Sequence, residues 1–205
     1  MKQRHHTPEQ IIGKLREAER LLGEGKTTPA SHTAAVLAEL PCHAAEDLLA
    51  RLDRVVPGRI EGFYVVGSAS MGAFRSGRSD VDFVAIVDGD FRCAELLRLQ
   101  ALHVGGWVSV LIHDTALRRR WPLVCNGVYV KAGDLSRSPL EVTPLAGHVT
   151  GRFRAARRTG FDVNPVTWSV LAHHGIALRG PDRDHLEVWT DEAQLRAWAL
   201  ANLNS

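Results

Sequence analysis

The sequence predicts an α/β or α+β domain. Three observations lead there. Short β-prone runs at 63–66, 81–87, 107–112 and 127–130 are mixed with stretches of helical period. Apolar residues make up 45% of the chain and charged residues 23%, which excludes whole-chain disorder and a fibrous architecture. A length of 205 residues suffices for one full-sized core without disulfide staples.

The elements follow in order. Thr7 can cap a first helix, Pro8 suits its first position, and Gln10 completes a Thr-x-x-Gln capping box. Ile11, Leu15, Ala18 and Leu22 recur at helical spacing, Ile12 and Leu21 widen the stripe, and Gly23 and Gly25 stop it. The apolar face of this helix, 8–22, wants a partner, and self-association is one way to supply it. The polar, proline-containing stretch 26–32 reads as a linker. Helices are expected over 33–40 and 44–55, the second ending before Pro57-Gly58. The run 63–66 is the first strand, and Val81, Phe83, Ala85 and Val87 alternate through the second. Residues 91–104 read as helix, with Leu96, Leu97 and Leu102 apolar. The runs 107–112 and 127–130 are the third and fourth strand candidates. Asn164 as cap and Pro165 in the first turn open a helix carrying Trp168, Leu171 and Ala172. Asp191-Glu192 opens a last helix with Leu195, Trp198 and Leu200.

Charge and cysteine usage narrow the function classes. Lys+Arg minus Asp+Glu is 25 − 23 = +2, too weak a balance to mark a nucleic-acid protein by itself. Cys42, Cys93 and Cys125 are widely spaced, odd in number and without a CxxC pair, so neither a disulfide framework nor a zinc site is expected. His5-His6 and His173-His174 have no matching ligand set. No apolar run reaches the ~20 residues of a membrane span, and no apolar stretch follows the N-terminus as a secretory signal would require. A cytoplasmic protein with no membrane partner is the expectation.

The chemistry concentrates in 63–87, FYVVGSASMGAFRSGRSDVDFVAIV. Gly67-Ser68 follows an apolar strand, Gly72 and Gly77 loosen a loop carrying Arg75 and Arg78, and Asp80-Val81-Asp82 opens the next strand. Residues two apart on a strand project to one face, so Asp80 and Asp82 can offer two oxygen ligands to one hard cation. Mg²⁺ takes one or two protein carboxylates, with phosphates and water completing its shell. Gly67 lets the backbone approach a phosphate, Ser68 adds hydroxyl and N–H donors, and Arg75 and Arg78 can pair with phosphate oxygens. The simpler reading makes the aspartates a turn acid and a solvent-facing strand acid, and the arginines ordinary loop charges.

The ordered set Val66, Gly67, Ser68, then Asp80, Val81, Asp82, Phe83 resembles the signature of the polymerase-β-type nucleotidyltransferases. With Ile112-His113-Asp114, Val128-Tyr129 and 174–181, residues 36–205 are similar to bacterial adenylyltransferases of the streptomycin/spectinomycin type. The resemblance implies a small mixed sheet flanked by helices, followed by a helical domain. It implies transfer of AMP from MgATP to an acceptor hydroxyl, on an aminoglycoside-like molecule among other candidates, with release of pyrophosphate. Asp80 and Asp82 would be the catalytic metal ligands; Gly67, Ser68, Arg75 and Arg78 would hold the nucleotide.

Two departures from the family pattern stand out. The third carboxylate usual in the strand before the His-Asp pair is replaced by Trp107, and the helical C-terminal part is expected to be short. Residues 2–27 resemble, separately, the start of IS3-type transposases, whose first helix belongs to a DNA-binding motif. No recognition helix follows, so DNA binding is not expected. The domain reading is therefore a transposase-like fragment at 1–28, a linker at 29–32, a nucleotidyltransferase domain at 33–150 and the start of a helical region at 151–205. The alternatives are a non-catalytic, nucleotide-binding remnant of a fused reading frame and a transposase-like DNA-binding protein.

Overall fold

A computed structural model describes residues 30–75, 78–116, 124–155 and 163–203. The chain divides into two compact units, Met1–Val36 and Leu37–Ser205. Of the first, only the helical turns from Ala30 onward are described; the expected helix at 8–22 lies outside the described residues.

Helix α1, Ala30–Val55, is continuous where two helices were expected, and positions 30–32 of the expected linker belong to it. It runs through Pro41, at the cost of the one backbone donor that proline lacks. Ala45, Leu48, Leu49 and Leu52 then bury one face at helical spacing.

Among the described residues the sheet has six strands: β1 (Ile60–Val66), β2 (Val81–Val87), β3 (Cys125–Lys131), β4 (Ala146–Val149), β5 (Arg152–Ala155) and β6 (Ile176–Arg179). Their order is β5-β4-β3-β2-β1-β6. Among the described residues only β2 and β3 run parallel; the other neighbours are antiparallel. A mixed α/β architecture is thus present.

A parallel pair needs a crossover connection, and helix α3, Cys93–Ala116, lies in it. This corrects the strand expected at 107–112. An apolar run of that length has no period that separates strand from buried helix. Here it continues the helix begun at Cys93, so Trp107, His113 and Asp114 are helical positions. Gly105 and Gly106 fall inside the same helix, each costing roughly 1 kcal/mol relative to alanine. A Cβ built on either would meet no atom within 4 Å beyond the helix's own nearby backbone.

Alternation along the central strands gives the sheet two buried faces. On one face Phe63, Val65, Val81, Phe83 and Tyr129 pack with α1 and with Leu99 of α3. On the other, Tyr64, Val84, Ile86 and Val128 pack with Trp168 and Leu171. These last two come from α4, Pro165–His174, which begins as expected: Asn164 Oδ1 accepts from the N–H groups of Val166 (2.9 Å) and Thr167 (3.0 Å). The final helix, α5, is Glu192–Leu203. Among the described residues no helix is long and apolar enough to cross a membrane, and no disulfide links Cys42, Cys93 and Cys125.

Candidate functional site

The site begins where β1 ends. Val66 pairs with Asp82 of β2, and Gly67 then leaves the strand with φ +68° to enter α2, the single turn Gly67–Ser70. A Cβ on Gly67 would land on Asp82 Oδ2 and lie 3.1 Å from its Cγ. Only glycine adopts this φ freely and leaves this space. The Gly67 backbone therefore lies directly against the Asp82 carboxylate. The loop folds back over the turn: the Ser68 carbonyl accepts from Ala73 N–H at 2.9 Å, and Ser70 Oγ donates to the Gly67 carbonyl at 3.1 Å. Ser68 itself is half-buried.

Asp82 is the second residue of β2 and shares the face of Val84 and Ile86. Asp80 sits one residue outside the strand, so the two aspartates are not strand neighbours as expected; a loop residue and a strand residue form the pair. What joins them is Asn126. It is the cross-strand partner of Asp82 in the parallel β2–β3 ladder. Its Nδ2 donates to Asp80 Oδ2 at 3.0 Å, and its Oδ1 accepts from Thr150 N–H at 2.9 Å. With 5% of its surface exposed, Asn126 is a buried amide held from both ends. The sequence reading missed this residue. Its one signal was a lone polar position inside the apolar run 123–130.

A cavity of about 250 Å³ opens beside Gly67 and Asp82. Its far wall comes from the C-terminal helices: Asn164, Val166, Thr167 and Val170, with Trp198 of α5. Arg75 and Arg78 do not line it; both are exposed in the loop before β2, where Arg75 N–H donates to Ser79 Oγ at 3.0 Å. The structure thus gathers Gly67, Asp82, Asp80 and Asn126, keeps Ser68 adjacent, and leaves the two arginines outside the cavity.

Two carboxylates beside an open backbone suit Mg²⁺, whose remaining ligands are water and phosphate oxygens. Among the described residues no group of three or more His, Cys, Asp or Glu is arranged to hold a metal, so an ion here would rest on Asp80 and Asp82 alone.

The groups whose acidity moves furthest lie elsewhere. Burial drives the His103 imidazole down to about 3, helped by the neighbouring His148. Burial pushes the Cys125 thiol up to about 12. His148 is lowered by burial as well, partly offset by its bond to the Cys125 carbonyl.

Compared with known proteins, the chain matches no family model and no curated protein.

Proposed function

We propose that Leu37–Ser205 carries a nucleotidyltransferase site that moves a nucleotidyl group, AMP from MgATP, to an acceptor hydroxyl. The observation that supports this best is the packing of Gly67 against Asp82: a strand ends in a glycine whose missing side chain leaves room only for the carboxylate of the next strand. Such a junction presents bare backbone and negative charge side by side, which suits a polyphosphate and its counter-ion.

Asp80 and Asp82 hold Mg²⁺ in this reading, and Asn126 fixes the direction of the Asp80 carboxylate. When bound, the ion neutralises charge developing on the phosphates. Gly67 and Ser68 orient the triphosphate through backbone and hydroxyl donors. Arg75 and Arg78, exposed in the adjoining loop, take the outer phosphates only if that loop closes over them. The cavity beside Trp198 receives the acceptor. Its hydroxyl oxygen bonds to the α-phosphorus, the bond from that phosphorus to pyrophosphate breaks, and the hydroxyl proton passes to solvent.

Isothermal titration of ATP with and without Mg²⁺, on the wild type and on Asp80→Ala/Asp82→Ala, tests the reading. Mg²⁺-dependent binding that vanishes in the doubly substituted, still folded chain is expected. Absence of binding by the folded wild type would overturn it. Binding with no pyrophosphate release across an acceptor screen would favour the non-catalytic alternative.

A further inference from the structure

A second cavity, about 150 Å³, lies on the opposite face of the sheet, between α1 and α3. Its floor is a pair of stacked imidazoles: the rings of His103 and His148 are 4.6 Å apart and inclined by 19°. Both are committed within the protein. His148 Nδ1 donates to the Cys125 carbonyl at 3.0 Å and its Nε2 accepts from Gly151 N–H at 3.1 Å, a pattern only the neutral ring can make. His103 Nε2 shares a 2.7 Å hydrogen bond with the Tyr129 hydroxyl. Leu48, Leu102 and Trp107 supply apolar wall. The charges at the cavity, Asp47 and Arg51, neutralise each other at 2.6 Å.

At the roof, Gly106 of α3 leaves open space: among the described residues no atom lies within 4 Å of a Cβ built there, beyond its chain neighbours and the helix backbone.

We propose that this cavity binds an uncharged small molecule built on one six-membered aromatic ring with a single hydroxyl. The volume admits about one benzene-sized ring. His103 is already stacked on Phe83, Phe153 and His148, so the aromatic wall open to a flat π-surface is that of Trp107. Among the described lining residues the only charges, Asp47 and Arg51, are paired with each other, so an ionic ligand would have to break that pair, whereas one hydroxyl can exchange hydrogen bonds with it. The inference stands apart from the nucleotide reading, because it uses the other face of the sheet.

Phenol is the probe, titrated into the full chain and followed by amide shifts in ¹⁵N–¹H spectra. Saturable shifts at Gly106, Cys125 and His148 are expected. Gly106→Leu, which fills the space from the roof, should weaken phenol at least about tenfold while melting no lower than wild type. Gly106→Ala, a single added methyl, should melt higher and weaken phenol less, and it keeps the test informative if the leucine variant folds poorly. Benzylammonium, the same ring with a charge, should bind at least about tenfold more weakly than phenol. No saturable shift with phenol, undiminished binding by a folded Gly106→Leu, or benzylammonium binding as tightly as phenol would each overturn the proposal.

Discussion

The two faces of the central strands solve opposite problems with the same backbone. On the Asp82 face, polar side chains cluster at one end of β2 and β3, beside the larger cavity and the C-terminal helices. On the His103 face, polar atoms are buried among rings and satisfied inside the fold: Phe63, Phe83, His103 and His148 stack in turn. The difference is electrostatic: the carboxylates stand half-exposed at the strand ends, whereas the imidazoles are buried and held neutral by hydrogen bonds within the fold.

The largest expected effect breaks the first face. Gly67→Ala forces a non-glycine residue to φ +68° and drives its methyl into the Asp82 carboxylate. We expect a loss of roughly 4 kcal/mol in urea unfolding, and no Mg²⁺-dependent ATP binding by the fraction that folds. Acid breaks the second face. The unfolded His103 imidazole takes up a proton near its ordinary 6.5, whereas the folded one resists until about 3. Between these values the unfolded chain holds more protons, so stability falls as pH drops below 6.5, by about 2–3 kcal/mol at pH 4.5. Urea midpoints at pH 7 and 4.5 measure it, and His103→Phe should flatten the dependence.

Asn126→Ala sharpens the comparison at intermediate size. It removes the partner of the Asp80 carboxylate and of Thr150 N–H, and should cost roughly 2 kcal/mol while weakening Mg²⁺-dependent ATP binding in calorimetry. A purely structural asparagine would lower stability without touching that binding. The smallest effect lies away from both cavities. Arg179 makes a two-pronged contact with Asp53, 2.6 and 2.7 Å, tying edge strand β6 to α1. Both side chains are partly exposed, so Asp53→Ala should cost no more than about 1 kcal/mol and leave ligand binding unchanged.

Legibility in the sequence followed local physics. Residues 81–87 alternate cleanly, and the strand is there. Asn164-Pro165 carries its own cap, and α4 starts at that point. Gly67 could be singled out because a glycine after an apolar strand has few other uses. The run 107–112 misled because its apolar pattern holds no period, and the deciding factor, a parallel β2–β3 pair, is a long-range fact. Asp80 was placed on a strand by spacing alone, although the ladder begins one residue later. Asn126 shows in the sequence only as a lone polar residue in an apolar run; its role arises from register with Asp82, which is again a long-range fact. Strands β4, β5 and β6 have four residues each, too few for alternation to speak.

The parallel register of β2 and β3 has a kinetic consequence. Asp82 and Asn126 become neighbours only after the chain has travelled through α3 and returned. Closing so long a loop costs entropy before any contact repays it, which makes such pairings late events in folding. The hairpin-like partners β1 and β2 can bring Gly67 to Asp82 early, while the amide that steadies Asp80 arrives later. A nascent chain would thus set the Asp82 carboxylate against Gly67 before Asn126 is in register to hold Asp80.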